Sequence, residues 1–385
     1  MFTPDELDNL RHVVKECAQN DRKLLTKLRA DVVVLRSRVK KIQPRSATSV
    51  SLVASDGGNN QLRFDPFHVQ LIRVVDSYGK QLCLDAVSVS TDLTALDKSQ
   101  FNTDGTPKTP LGRMILDLGV KTGRLNDLSH MMPAPGTPPD EIPGAWVQVY
   151  RDLCEWAVLY ELICYRPFAT DTLVVRDGLL RSKMFRGELF IRLREKLETA
   201  IARTQKEDKR RVFLVGVAKH TKVLERYSLA MALERVFTDG EARYVEISRD
   251  MERSAVEWGA DILGPEETGK GRETPGKFVA GKMFFVRFGP YSGDPVWSVD
   301  ILVSQRDAHQ EIFGYLQKDA VEGFPVPFYP MCLQKAHSHA QIVDFDQDIL
   351  ADHVIASVRE ILPEHERPIF DALPLKQDVA NRRYE

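Results

Sequence analysis

The sequence predicts a mixed α/β fold in which helices flank one β-sheet. Three strand-like segments joined by short turns come first, at 50–55, 67–76 and 81–90. A helix that is apolar on nearly every side follows at 145–165, and a strand–helix–strand–helix succession covers 171–236. Antiparallel strands followed by short crossovers are typical of a mixed sheet that carries helices on its faces.

Residues 1–45 are expected to form a helical N-terminal arm. One long helix is predicted over 3–42, because Thr3 can cap it, Pro4 suits its first position and Glu6 completes a capping box. A loose helical stripe of apolar residues runs along it: Leu7, Leu10, Val14, Leu24, Leu28, Val32, Leu35 and Val39. Nine basic residues and one acidic residue follow Asp21 in this arm. The arm is therefore either a solvated helix or a surface for dimerisation or docking.

Residues 46–385 are expected to form one domain that contains an insertion. The first strand is predicted to end in Asp56-Gly57-Gly58, and a turn at 77–80 separates the second strand from the third. The segment 91–143 is polar, and Pro and Gly cluster near its end. It is therefore predicted to be an insertion of helix and loop that ends in a linker.

The later elements complete a recognisable succession. They are predicted as a helix at 187–205, a strand at 212–217, a helix near 222–236, two strands at 282–288 and 296–304, and a helical region from about 331. An antiparallel meander followed by a buried helix, a strand, a helix and a strand matches an RNase H-like topology. The fold class expected is therefore an RNase H-like mixed sheet flanked by helices.

The composition limits the function and the location that are expected. The 385 residues carry 53 basic and 55 acidic side chains, a formal net charge of -2, which argues against a generic basic coat for nucleic acid. The five cysteines include no CxxC pair, so reduced thiols and a cytoplasmic location are expected. No secretory signal and no run of eighteen apolar residues is evident, so no membrane association is expected.

Three carboxylates recur at the positions where an RNase H-like sheet places them. Asp56 follows the first strand, Asp177 follows the strand at 171–176, and the buried helix between them supplies a glutamate. Carboxylates that converge in this way can bind two divalent ions for phosphodiester cleavage. Within the helix Glu155 is preferred to Glu161, although an ion pair with Arg151, four residues earlier, is the structural alternative for Glu155.

The same succession of residues resembles the NurA nucleases. The segments that carry the resemblance are Asp56-Gly57, Arg151-x-x-x-Glu155, LVVRDGLL at 173–180, LVGVAKHT at 214–221 and FYPMCLQKAH at 328–337. They extend over roughly residues 46–345, and 91–143 is the part that matches least. Two positions depart from the pattern, because Gly58 stands where a small hydroxyl residue is expected and Arg176 precedes the second aspartate.

The resemblance implies a manganese- or magnesium-dependent DNA nuclease. It also implies a toroidal homodimer that works with a hexameric HerA-type DNA translocase. By position, Asp56, Glu155 and Asp177 would be metal ligands. Lys219 would lie close to the scissile phosphate, and His337 would be a further metal ligand or a proton-transfer group.

Three functions therefore remain open on sequence grounds. The first is a two-metal DNA nuclease for DNA end processing, in repair or in anti-phage defence. The second is a non-catalytic, nuclease-like clamp or regulator of a translocase. The third is an actin-like phosphotransferase, since paired Asp-Gly strand ends also hold magnesium nucleotides. The basic runs at 22–45 and 203–211 would give a nearly neutral protein a local track for DNA.

Overall fold

A computed structural model describes residues 3–45, 50–64, 67–138, 141–255, 277–341 and 344–372. Side chains are described for all of these except 50–64, 67–68, 344–348 and 350. Within these ranges the strands are β1 Lys40–Lys41, β2 Val50–Phe64, β3 Phe67–Asp76, β4 Gln81–Ser88, β5 Asp171–Asp177, β6 Val212–Ala218, β7 Arg243–Glu246, β8 Gly281–Arg287 and β9 Trp297–Leu302.

Helices connect and cover these strands. In the described ranges they are α1 Pro4–Asn20, α2 Arg22–Val33, α3 Leu93–Ser99, α4 Pro110–Asp117, α5 Leu125–Leu128, α6 Trp146–Tyr165, α7 Leu189–Glu207, α8 Lys222–Leu233, α9 Arg249–Ala255, α10 His309–Val321, α11 Met331–Ala340, α12 Asp344–Ile361 and α13 Arg367–Asp371. None of the helices so described is both long enough and apolar enough to cross a membrane.

The chain divides into two compact units. The first unit takes in residues 1–54, 167–183 and 190–334. Its strands lie in the order β1-β7-β8-β9-β6-β5-β2. The pair β5 and β6 is parallel, whereas β9, β8, β7 and β1 add successive antiparallel strands beyond β6. The sheet of this unit is therefore mixed, and the carboxyl ends of β5 and β6 lie at the same edge.

The second unit takes in residues 55–166, 184–189 and 335–385. The rest of β2 pairs with β3, and β3 with β4, as an antiparallel meander. The turn between β3 and β4 is closed by a hydrogen bond from the Asp76 amide to the Lys80 carbonyl, 3.1 Å long. Gly79 has φ +79°, a left-handed conformation that favours glycine. The predicted three-strand meander and its turn are thus confirmed.

The predicted fold class is confirmed by the strand order. The first unit contains the mixed sheet with the parallel pair β5 and β6, and the second unit contains the antiparallel meander. The chain passes from the meander through helix α6 to β5, and then through α7 to β6. This is the mixed α/β sheet with the RNase H-like succession of elements that the sequence predicts.

The N-terminal helix is shorter than predicted and is interrupted. The capping box is present: the Thr3 amide donates to Glu6 Oε2 over 2.8 Å, and the Glu6 amide donates to Thr3 Oγ1 over 3.3 Å. The helix stops at Asn20, because Asn and Asp side chains favour helix ends, and it restarts as α2. The β-branched run at 32–34 then ends α2, and the chain continues as β1.

The first strand is longer than predicted. Asp56 does not end a strand, because β2 continues to Phe64 and Asp56 lies opposite Val75 in the ladder with β3. Gly57 and Gly58 are also paired within that ladder. The ten residues of β3 offer a continuous row of backbone partners, which outweighs the preference of an Asp-Gly-Gly sequence for a turn.

The insertion at 91–143 contributes helices to the second unit. It contains α3, α4 and α5, and α4 packs against α6 within the second unit. The buried side chains of α4 include Leu111, Met114 and Ile115. Thr109 caps α4 by accepting a hydrogen bond from the Gly112 amide, and Pro110 occupies the first turn. Its overall polarity concealed this short amphipathic helix.

Candidate active site

The candidate site in the first unit is built at the end of strand β5. Residues 172–176 of β5 are buried, and Asp177 is its last residue, with 23% of its side chain exposed. Gly178 follows with φ +99°, and its amide donates to the Val217 carbonyl over 2.8 Å. An L-residue with a side chain rarely adopts this φ, so the Asp-Gly sequence is what lets the chain leave the sheet directly after the carboxylate.

Lys219 is brought to Asp177 by the parallel pairing of β5 and β6. Asp177 is in register with Val217, and Lys219 follows directly after β6. The Lys219 Nζ atom lies 3.7 Å from Asp177 Oδ2, and about a third of the lysine side chain is exposed. The structure therefore brings these two predicted residues together, and their roles stay predictions.

Tyr329 is the third member of the cluster and was not predicted. Its hydroxyl donates to Asp177 Oδ1 over 3.1 Å, and its side chain is fully buried. The Lys219 Nζ atom lies 4.9 Å from the centre of the Tyr329 ring, within the range of a cation–π contact. We call Asp177, Lys219 and Tyr329 the Asp177 cluster.

Packing around Tyr329 fixes the position of its hydroxyl. The Trp297 ring on β9 stacks edge-on against it, with ring centres 4.9 Å apart. Trp297 Nε1 also donates to the Phe328 carbonyl, and Gln334 Nε2 donates to the Tyr329 carbonyl over 2.9 Å. The tyrosine lies in the FYPMCLQKAH segment, so the only sequence signal for it was its place in that motif.

Arg176, the departure from the motif, does not disturb the Asp177 cluster. Successive side chains of a strand point to opposite faces of the sheet. The Arg176 guanidinium accordingly donates through Nη1 to the Leu179 carbonyl over 3.1 Å. Arg176 therefore supports the loop that follows Asp177.

Glu155 lies in the second unit, on helix α6, which is buried on most sides as predicted. Arg151 Nε lies 3.5 Å from Glu155 Oε1, and only 13% of the glutamate side chain is exposed. The ion pair that was the structural alternative for Glu155 is thus present. Glu161 is engaged elsewhere, because Arg113 Nη1 on α4 donates to its Oε1 over 3.1 Å.

His337 also lies in the second unit, on α11, and its side chain is exposed. Its Nε2 lies 3.1 Å from Gln341 Nε2, one helical turn further on. The backbone of Asp56 is placed in β2, as described above, but its side chain lies outside the described residues. The structure therefore leaves the roles of these two residues as predictions.

The chemistry of the candidate ligands suits a hard divalent cation. Carboxylate oxygens are the donors that magnesium and manganese prefer, and Asp177 and Glu155 both supply them. Among the side chains that are described, no group of three or more His, Cys, Asp or Glu is arranged to hold a metal ion. The side chain of Asp56, the other aspartate among the predicted ligands, lies outside the described residues, so its role stays a prediction.

The basic run at 22–45 is less available to DNA than its composition suggests. Arg29 Nε and Arg36 Nη2 both contact the Glu234 carboxylate, at 2.6 and 2.9 Å. Lys41 lies 2.5 Å from Glu241, and Arg45 lies 3.6 Å from Glu311. Four of the nine basic residues thus have a carboxylate partner, which lowers the net positive potential of this segment.

Comparison with known proteins gives similar folds at low identity. No protein-family model matches the chain, and no curated protein sequence matches it. The NurA nuclease from Sulfolobus solfataricus is 12% identical, with 94% of this chain and 99% of that chain covered and a TM-score of 0.42. A structure of NurA bound to dAMP and manganese is 10% identical, with 96% and 100% covered and a TM-score of 0.43.

A structure of NurA with manganese is 13% identical, with 88% of this chain and 98% of that chain covered and a TM-score of 0.32. These proteins belong to the family that the sequence motifs resemble. With TM-scores below 0.5, the similarities do not establish that the chain is a member of that family.

Proposed function

We propose that the chain is a metal-dependent DNA nuclease of the NurA type and that it hydrolyses phosphodiester bonds at the Asp177 cluster. The observation that carries this proposal is that side chains from two other segments converge on the partly exposed carboxylate of Asp177. The Tyr329 hydroxyl and the Lys219 ammonium approach different oxygens of Asp177, at 3.1 and 3.7 Å. A carboxylate oriented in this way at a strand end is suited to hold a cation beside a phosphate.

Each member of the Asp177 cluster has a distinct role in this proposal. Asp177 provides oxygen ligands, and the Tyr329 hydroxyl holds the carboxylate in one rotamer. Lys219 is one third exposed and lies beside Asp177, so it can meet a non-bridging oxygen of the phosphate as a point charge. The buried ring of Tyr329 limits the freedom of both groups.

The remaining predicted ligands complete the proposed centre. Asp56 and Glu155 join Asp177 as metal ligands, and His337 is a fourth ligand or a proton-transfer group. The cation is Mn²⁺ or Mg²⁺. When two such ions are bound, they lower the pKa of the attacking water and stabilise the charge that develops on the leaving 3′ oxygen.

The biological setting that we propose follows the resemblance. The nuclease acts as a homodimer with a HerA-type hexameric translocase, in DNA end processing or in anti-phage defence. The formal net charge of -2 and the ion pairs of the basic run support a need for such a partner. A chain with this charge has little long-range attraction for DNA, so a translocase that delivers the strand supplies what the surface lacks.

A second function is favoured by one contact. The Arg151 guanidinium gives Glu155 a counter-charge at 3.5 Å, which is what a structural glutamate requires. If Glu155 serves only this ion pair, the fold is a non-catalytic clamp or regulator of the translocase. The two proposals differ in whether the chain binds divalent cations and cleaves DNA.

The experiment that separates them is cleavage of linear DNA with Mn²⁺. Wild type, Asp56→Ala and Asp177→Ala are compared with Asp250→Ala, which removes one exposed carboxylate of α9. The nuclease proposal predicts cleavage by wild type and by the control, and loss of cleavage in the other two variants. Full cleavage by both site variants contradicts the proposed site, and no cleavage by wild type with its translocase present favours the clamp.

A further inference from the structure

The loop that supplies Tyr329 also carries the most exposed large apolar side chain among the described residues. This loop covers residues 322–330 between α10 and α11, and we call it the Phe324 loop. Phe324 is 78% exposed, whereas Tyr329, five residues later in the same loop, is fully buried. A single exposed apolar residue is common on protein surfaces, so its meaning depends on where it lies and how it is held.

Buried Gln334 on α11 fixes the backbone of the Phe324 loop. Its Oε1 accepts a hydrogen bond from the Val326 amide over 2.8 Å. Its Nε2 donates to the Val326 and Tyr329 carbonyls, over 3.0 and 2.9 Å. Because the loop is held in this way, Phe324 can contact a ligand without a large loss of chain freedom on binding.

A close approach of the backbone places Phe324 next to Tyr329. A Cβ atom at Gly323 would lie 2.3 Å from the Tyr329 carbonyl oxygen, so only glycine allows the two ends of the loop to touch. The Tyr329 hydroxyl in turn donates to Asp177 over 3.1 Å. A single residue, Tyr329, therefore links the backbone beside Phe324 with the Asp177 carboxylate.

We propose that Phe324 stacks on a nucleobase of an unpaired DNA strand while a phosphate of that strand lies at the Asp177 cluster. This inference rests on the proposed nuclease function and adds a subsite for the base to it. Every nucleobase has an aromatic face, so one ring is sufficient and the contact is independent of base sequence. Lys219 then supplies charge for the phosphate, and Phe324 supplies a ring for the base.

An unpaired strand suits this ring better than a duplex does. Inside a duplex the faces of each base are covered by neighbouring bases, so a protein ring can stack only after the base has been unstacked. An unpaired strand offers open faces. The single carboxylate of the Phe324 loop, on Glu322, lies 3.5 Å from Lys318 Nζ, which offsets its charge and lowers its repulsion of a DNA strand.

The direct test measures binding of two single strands in EDTA, where no metal-dependent cleavage takes place. One strand has about ten thymidines, a length typical of single-strand sites, and the other has the same number of phosphates with abasic residues. Fluorescence anisotropy at low salt gives Kd for each strand, and we call the ratio of the two values the base preference. Wild type should bind the thymidine strand at least about fivefold more tightly, the lower end of the range for one stacked base.

Substitutions at Phe324 separate stacking from other contacts. Phe324→Ala and Phe324→Leu should lose the base preference, because neither side chain has a ring, and Phe324→Trp should keep it. Affinity for the abasic strand should stay at the wild-type value in all three, since the phosphate contacts are retained. Phe324 is exposed, so the melting temperature should also be unchanged, and this measurement confirms that the variants fold.

Tyr78→Ala is the matched control, because it removes an aromatic ring that is 72% exposed in the turn between β3 and β4. It should keep the wild-type base preference. With Mn²⁺ present, Phe324→Ala should raise KM for single-stranded DNA about fivefold with a smaller change in kcat, because the ring contacts the substrate away from the reacting atoms.

The outcomes distinguish this proposal from the nuclease proposal. Equal base preference in wild type and Phe324→Ala would overturn the stacking role, even if wild type cleaves DNA. A base preference that depends on Phe324, in a chain that does not cleave DNA with Mn²⁺, would support the stacking role and contradict the nuclease. If Phe324→Ala binds both strands as wild type does and loses cleavage only when the translocase is present, the ring contacts the translocase and the stacking role is wrong.

Discussion

Replacing Tyr329 with phenylalanine tests how the Asp177 cluster works. The substitution removes one hydroxyl and keeps the ring that stacks on Trp297. The lost hydrogen bond runs to Asp177 Oδ1 over 3.1 Å. We expect the carboxylate to lose its fixed orientation while the surrounding packing is retained.

The size of the effect follows from the burial of the two partners. A hydrogen bond to a charged group contributes about 1.5–3 kcal/mol, which corresponds to roughly 10- to 150-fold in rate or affinity. Tyr329 is fully buried, but Asp177 is 23% exposed, so water can replace part of the lost bond. The lower part of the range therefore applies, and kcat/KM for DNA cleavage should fall about 10- to 30-fold.

The assay measures cleavage of linear DNA over a series of Mn²⁺ concentrations, together with urea unfolding of each variant. The free energy of unfolding should fall by about 1.5–2 kcal/mol, the lower part of the range for a hydrogen bond to a charged group. Tyr291→Phe is the matched control, because Tyr291 is 65% exposed in the loop before β9. Wild-type activity and metal dependence in Tyr329→Phe, or a loss that unfolding explains entirely, would refute the assigned role.

Two further predictions concern stability. The Arg181 guanidinium contacts the fully buried carboxylates of Asp300 and Glu252, at 2.7 and 2.6 Å. Because Arg181→Met removes this guanidinium from both carboxylates, it should lower the free energy of unfolding by about 3–5 kcal/mol. Urea denaturation measures this loss. Burial raises the pKa of the Asp97 carboxyl group, so the folded chain binds the carboxyl proton more tightly than the unfolded chain does. Protonated Asp97 therefore contributes to the free energy of unfolding at low pH, and this contribution is lost as the pH rises through the raised pKa. Asp97→Asn, which keeps an oxygen for the Leu125 amide, should therefore be more stable than wild type at neutral pH, and the difference should shrink in acid.

The predicted elements that the structure confirms share strong local signals. The meander, α6, β5 and β6 have clear apolar patterns with turns or caps at their ends, and the Asp-Gly sequence at 177–178 requires a change of direction. Asp177 and Lys219 were assigned to one site by the family resemblance. The structure brings them together because parallel neighbours end at the same edge of a sheet, and their roles stay predictions.

The elements that were missed or misplaced depend on partners distant in sequence. β2 continues through Asp56-Gly57-Gly58 because β3 pairs with it, which a turn-forming sequence does not reveal. β7 has only four residues and pairs with β8, some forty residues later. Tyr329 reaches Asp177 across 152 positions of sequence, so no local pattern could have assigned its role.

The division of the N-terminal helix has a different cause. The apolar stripe indicated one continuous helix, but Asn20 and Asp21 interrupt it, and the β-branched run at 32–34 ends α2. Asn20 and Asp21 disfavour a continuous helix only moderately, whereas the apolar stripe favours one. The sequence alone does not show which of these two preferences determines where the helix ends. The apolar stripe is present, and its residues along α1 are exposed.

The central claim is that Asp177 is a ligand of a divalent cation, and binding of Mn²⁺ measured by electron paramagnetic resonance tests it most directly. Wild type, Asp177→Asn and the control Asp250→Asn are titrated with Mn²⁺, with folding confirmed by circular dichroism. We predict that wild type and Asp250→Asn bind the ion with equal affinity and that Asp177→Asn binds it at least about tenfold more weakly, a loss of roughly 1.4 kcal/mol or more. Equal Mn²⁺ affinity in wild type and Asp177→Asn would contradict the claim.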